Sequence, residues 1–258
     1  MLRFASLGSG STGNATLVQA SDGITTTRVL IDCGFSLREL ETRLARQALA
    51  CSDLDAVFIT HEHGDHVGCA LALTRRHRVP LWMSRGTWCA LDDGADCDSV
   101  NFARDGVVLT LGDLELCPYT VPHDAREPLQ LTCSDGAHKL GVLTDTGSVT
   151  RHLLDALRRC DALLLECNHD LELLAQSSYP AGLKARIAGP RGHLSNETAA
   201  EILAACRHDG LRHVVAAHLS ERNNRPELAR TALATALGCE PDRIGVADPV
   251  LGFDWCDA

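Results

Sequence analysis

The stretch THEHGDHVGC at residues 60–69 constrains this chain more than any other. Four side chains that bind metal (His61, His63, Asp65 and His66) fall directly behind the apolar run LDAVFI. A buried strand fixes the backbone, and the turn after it can aim several side chains at one point. His61 and His63, two residues apart, can face one ion, while Asp65 and His66 can reach a second beside it. Gly64 permits the tight path. The alternative is an exposed polar loop. Three imidazoles and an acid at this spacing, behind a buried strand, argue against it.

The rest of the chain narrows the setting. At 258 residues, 45% apolar and 22% charged, it has the length and balance of a globular protein with a substantial core. No window approaches the roughly 18 apolar residues that span a bilayer. The start, MLRFASLGSGSTGN, lacks the apolar stretch of a signal peptide. A soluble, cytoplasmic protein without membrane partners is the expectation. Twelve cysteines are present without any C-x-x-C pair, most within apolar runs such as ALLLEC and EILAAC. They read as buried free thiols, not as a disulfide framework or a zinc site. The formal charge of −10 opposes general adsorption to nucleic acid. Two bound divalent ions would offset about four of those charges. Basic clusters at 75–78 (RRHR) and 184–193 (KARIAGPRGH) leave a small local anion site open.

Short β segments alternate with helical ones. LRFASL, ATLVQA and TRVLID read as strands joined by turns at GSGSTGN and SDG. Ser36 and Glu39 make a capping box ahead of LRELETRLARQAL. LDAVFIT is a buried strand, VGCALALTRR a helix, and LWMS a short strand before Gly86. Residues 100–145 read as mostly β, through VVLTL, LELCPYTV, LQLTCS and KLGVLTD. A β/α pattern then follows: helix SVTRHLLDALRR, strand ALLLEC, helix NETAAEILAACRHDG ended by Gly210, strand HVVAAHL and helix PELARTALATALG. A β-rich half followed by a β/α half, in one domain over residues 1–258, is the expected organisation.

One motif misleads. GSGSTG at 8–13 matches the glycine fingerprint of dinucleotide folds, with Asp32 about where the ribose-binding acid would stand. That fingerprint needs a helix directly after the glycines, and ATLVQASDGITTTRVL is alternating, β-branched and broken at Asp22-Gly23. It reads as a polar turn between strands.

The T-H-x-H-x-D-H pattern at 60–66 resembles the signature of the metallo-β-lactamase-fold superfamily. The order SLGSGSTGN, LIDCG, THEHGDH, PHDAREP, LTDTG, ECNHD, YPAGLKARI, GHLSN, AHLSERNN is similar to its YycJ (WalJ) branch, regarded as 5′→3′ DNA exonucleases. The similarity runs from about Phe4 to Ala229. It implies an α/β fold, the αβ/βα four-layer sandwich with two central mixed β-sheets flanked by helices. It also implies a two-metal site: His61, His63 and His123 on one ion, Asp65, His66 and His218 on the other, and Asp145 bridging. Asp32 would orient a ligand without binding metal. His193 also precedes Leu-Ser and competes with His218, which is favoured because it ends an apolar strand. His169 either lines the site or makes a structural contact.

The implied chemistry is hydrolysis of a phosphodiester by hydroxide generated between two divalent ions, zinc or manganese, with iron also suited to nitrogen and carboxylate donors. Asp65 would orient the attacking oxygen and take its proton. His193, near Lys184, Arg186 and Arg191, would bind phosphate or protonate the leaving oxygen. DNA is the substrate the resemblance implies; oligomeric state stays open. Residues 146–217 leave no room for a β-CASP insertion, and no added C-terminal domain is expected. The alternatives are a small-molecule, cyclic-phosphate phosphodiesterase, a glyoxalase II-like thioester hydrolase, and a non-catalytic scaffold of the same fold.

Overall fold

The computed structural model describes residues 1–91 and 100–258. β1 (Leu2–Gly8), β2 (Ala15–Ser21) and β3 (Thr26–Ile31) form an antiparallel meander. β4 (Ala56–Phe58), β5 (Leu81–Ser84) and β6 (Val100–Ala103) add to it in parallel. Parallel neighbours need crossovers. Here these contain α1 (Leu37–Arg46), then α2 (Gly64–Val67) and α3 (Ala70–His77), then α4 (Arg85–Leu91).

The second sheet repeats the plan. β7 (Leu109–Leu111), β8 (Leu114–Thr120), β9 (Leu129–Ser134) and β10 (Lys139–Leu143) run antiparallel. β11 (Ala162–Glu166), β12 (His213–Ala217) and β13 (Gly245–Val246) then add in parallel. Between them lie α5 (Arg151–Leu157), α6 (Leu171–Gln176), α7 (Ala181–Ile187), α8 (Asn196–Cys206) and α9 (Pro226–Leu237). β14 (Phe253–Asp257) returns to the first sheet, antiparallel to β1. The orders are β14-β1-β2-β3-β4-β5-β6 and β13-β12-β11-β10-β9-β8-β7.

Period-two alternation divides the apolar residues among three layers. Leu2, Phe4, Val29 and Phe58 of the first sheet meet Leu116, Leu131, Val142 and Leu164 of the second. Leu17, Leu30 and Val57 face outward onto Leu40, Leu44 and Leu73 of α1 and α3. Leu163, Leu165 and Val214 face outward onto Leu153, Ile202 and Leu233 of α5, α8 and α9. Strands covered on both faces are near-continuous apolar runs, which is why AVFI and ALLL lack alternation. The result is helix, sheet, sheet, helix.

Several local expectations need correction. The two halves are not β-rich and then β/α, because each sheet combines an antiparallel part with a parallel one. The capping box is half made: Ser36 accepts from the Glu39 N–H, but the Glu39 carboxylate instead pairs with Arg43 at 2.8 Å. The helix expected over VGCALALTRR breaks at Gly68 into α2 and α3. There the backbone turns to φ +31, and a Cβ would lie 2.3 Å from the Cys33 carbonyl. α8 ends at Cys206, ahead of Gly210. Seven cysteines are buried, Cys117, Cys239 and Cys256 are half-buried and Cys89 is exposed; no disulfide occurs among the described residues, and Cys97 lies outside them. No described helix is long and apolar enough to cross a membrane.

Candidate metal centre

Strand ends from both sheets open at one place. Asp32 follows β3, His61 to His66 follow β4, His123 follows β8, Asp145 follows β10 and His218 follows β12. The backbone of the histidine-rich loop is clamped from two sides. The Asn14 N–H donates to the Asp65 carbonyl at 2.8 Å and the Cys33 N–H to the His66 carbonyl at 2.7 Å. A Cβ on Gly34 would sit 1.8 Å from the Asp65 carbonyl oxygen, so only glycine allows this approach. The GSGSTGN turn is therefore a structural brace. Its Ser9 hydroxyl and Gly10 N–H donate to Asn14 Oδ1, and Ser9 Oγ accepts the His218 N–H at 2.9 Å.

His61 Nε2, His63 Nδ1 and His123 Nε2 converge, with His63 Nδ1 lying 3.0 Å from the first and 3.3 Å from the third. Tetrahedral zinc at ordinary Zn–N lengths separates two ligand nitrogens by about 3.3 Å. The far nitrogens are occupied. His123 Nδ1 is 3.0 Å from the Gly192 carbonyl, and His61 Nδ1 is 3.0 Å from Thr60 Oγ, whose hydroxyl donates to Asp32. Such contacts place the proton on Nδ1 and leave Nε2 as a lone pair. Burial holds the His61 pKa well below the ordinary range and lowers that of His123, so both are neutral donors.

A second group forms beside the first. Asp65 Oδ2 lies 3.6 Å from His66 Nε2 and 3.4 Å from His218 Nε2. Asp145 stands between the groups, within donor range of His61 and His66 on one side and His218 on the other. Its Oδ2 is 2.8 Å from His66 Nε2, yet this buried oxygen makes no hydrogen bond of good geometry. A close approach without an aligned proton is the relation between two ligands of one cation. The donor set and spacing fit a pair of divalent ions.

Charge in this second group is arranged differently. Burial opposes a proton on His66, but Asp145 and Asp32 outweigh it and hold its pKa well above the ordinary value. His218 is pushed up to about 9 against burial, chiefly by Asp145. Asp145 is driven well below the usual carboxylate range, against its burial, by His218 and His66. These protons sit where cationic charge would sit, and binding of divalent ions would release them. Asp32 takes the Thr60 N–H at 2.8 Å and lies 2.8 Å from His66 Nδ1. Asp32 and His218 both adopt left-handed backbone, φ 62 and φ 53, which non-glycine residues hold only when their surroundings enforce it.

His193 stacks on His218 at 5.3 Å; its Nδ1 is 2.8 Å from Glu166 and 2.9 Å from Asp145. These acids outweigh burial and hold its pKa well above the ordinary value. A cleft of about 370 Å³ opens here, lined by His63, Asp65, Asp145, Arg186, His193 and His218 among others. Arg186 reaches it, tied to Asp124 at 2.6 Å. Lys184 does not, because its ammonium donates to the Ala175 carbonyl. His169 is buried behind the site, bridged to Ser195 through backbone.

Sequence reasoning passed over Glu166, Thr60, Asn168 and Asp124. Glu166 carried a signal: it ends the apolar run ALLLE, as Asp32 ends TRVLI. Asn168 donates to the His218 carbonyl at 3.1 Å, a contact between residues fifty apart.

Comparison with known proteins gives the family. The family model described as "Beta-lactamase superfamily domain" matches residues 27–219. "Exodeoxyribonuclease YycJ" of Bacillus anthracis is 34% identical over 92% of this chain and 89% of its own length. "Exodeoxyribonuclease WalJ" of Streptococcus pneumoniae is 32% identical over 95% and 91%. The solved structure of the metallo-β-lactamase fold protein YhfI from Bacillus subtilis superposes with a TM-score of 0.75 at 17% identity, covering 99% of this chain and 98% of that one. The chain belongs to the metallo-β-lactamase-fold superfamily, in its YycJ/WalJ-like branch.

Proposed function

We propose that this protein is a binuclear metal-dependent hydrolase of phosphodiester bonds, an exodeoxyribonuclease that removes nucleotides from 5′ ends. The observation that carries the chemistry is the meeting of two donor triads, His61–His63–His123 and Asp65–His66–His218, with Asp145 between them. The names of the YycJ and WalJ relatives supply the substrate.

Two divalent ions, zinc or manganese with iron also suited to this donor set, would polarise the phosphoryl oxygen and lower the pKa of water to about 7. The chain's own groups do the rest. Asp65 borders the cleft with a carboxylate that His218 keeps ionised against burial, free to orient the attacking water and accept its proton. His193 has Nδ1 fixed by Glu166, leaving Nε2 as the nitrogen that can meet a ligand. Charged at neutral pH, it is the group to protonate the leaving oxygen. Arg186, oriented by Asp124, presents a guanidinium to phosphate at the rim.

The test is metal-loaded protein with duplex DNA labelled at either end, beside a small cyclic phosphate. Release of mononucleotides from 5′ ends supports the reading. Turnover of the cyclic phosphate with intact DNA favours the small-molecule phosphodiesterase.

A further inference from the structure

We propose that a second cleft, about 550 Å³ in volume and separate from the metal centre, binds the backbone of a single DNA strand whose end is being cleaved. This rests on the exodeoxyribonuclease reading. Arg85, Arg104 and Arg126 line the cleft with Phe102, Asp105 and Glu127.

Three arginines face two acids, and both acids are already engaged. Glu127 Oε2 accepts the Gly86 N–H at 2.5 Å. Asp105 Oδ1 accepts the Thr120 N–H at 3.0 Å and lies 2.7 Å from His152 Nε2. Among the described residues, no carboxylate pairs with any of the three guanidiniums. In a chain of formal charge −10, a cleft with unpaired arginines is a local anion site.

Two further features narrow the anion. The Arg85 guanidinium lies 5.5 Å over the ring of half-buried Phe102, so one wall pairs an aromatic face with a cation. That combination suits an unpaired base and its phosphate, because a duplex hides its base faces. The cleft is also joined to the metal centre. The Arg126 N–H donates at 2.7 Å to Glu62, which stands between His61 and His63. A strand whose end lies at the metal centre could continue past Arg126 into this cleft.

The test compares wild type with Arg85→Ala/Arg104→Ala/Arg126→Ala, all surface changes that leave backbone contacts in place. Binding is read by anisotropy with phosphorothioate-linked thymidine strands of about twenty and about four nucleotides, which resist turnover. Hydrolysis of bis(p-nitrophenyl) phosphate reads the centre alone. The expected result is an affinity loss of about ten-fold for the long strand and a fall of about two in the slope of log K against log salt. The short strand and the small diester should be unaffected. A variant that binds the long strand with wild-type affinity and salt slope overturns the groove alone. Wild-type protein that hydrolyses the small diester but neither binds nor shortens DNA overturns the nuclease reading, and the groove with it.

Discussion

Asp32→Asn probes the metal centre with little disturbance to anything else. Asparagine keeps the shape and tolerates the left-handed backbone at φ 62. One oxygen can still accept the Thr60 N–H at 2.8 Å. The amide nitrogen then faces His66 Nδ1, also at 2.8 Å, where a proton already sits when Nε2 is a ligand. Two donors meet, and a charge-assisted bond is lost at a position 2% exposed. Such bonds contribute about 1.5–3 kcal/mol. At about 1.4 kcal/mol per decade, that is a ten- to hundred-fold weaker hold on the ion at Asp65, His66 and His218. Competition with a chromophoric chelator should show one tight ion retained and one weakened, and hydrolysis should return at raised metal concentration. If Asp32→Asn binds both ions as wild type does, the orienting role is refuted. If activity stays lost in excess metal, the defect lies elsewhere.

His193→Ala should retain metal yet slow DNA cleavage about a hundred-fold, with much less effect on p-nitrophenyl esters, whose leaving group needs no proton; equal loss on both substrates counts against proton donation. Metal-free protein should lose thermal stability as pH rises from about 6.5 toward 9, measured by its melting temperature. His218 is raised to about 9, so its contribution is full below the unfolded pKa and disappears as pH climbs through the folded one. A flat profile across that window would contradict the assignment. Gly34→Ala should destabilise by about 3 kcal/mol or more in urea, because the new Cβ would overlap the Asp65 carbonyl. A midpoint unchanged from wild type would mean the loops are free to part.

Much of this was legible because covered strands and their ends leave a simple trace. AVFI, LGVL and ALLL are uninterrupted apolar runs, and His61, Asp145 and Glu166 come where each run stops. Glu166 obeys the same rule and opens the ECNHD motif, but the histidine of that motif, His169, is the more conspicuous residue. The short helices α4, α6 and α7 gave no such trace: each spans seven residues or fewer, about two turns, so a 3.6-residue period is barely sampled. Lys184 and His193 look like neighbours in KARIAGPRGH, but a helix turns one toward Ala175 and the loop after it carries the other to Glu166. Charge clusters in sequence need not be clusters in space. The repetition between sheets was hidden too, since strand pairing is long-range.

Each triad takes two donors from the loop after β4, in one sheet, and its third from the other, His123 after β8 or His218 after β12. Cations seated there would rivet the two layers at their open end, while elsewhere interdigitated apolar side chains and a few rim contacts such as Thr25 to Asp113 hold them. Stripping the ions should therefore loosen that seam first. Amide exchange should quicken together around His61 and His218, with the strand midpoints still protected.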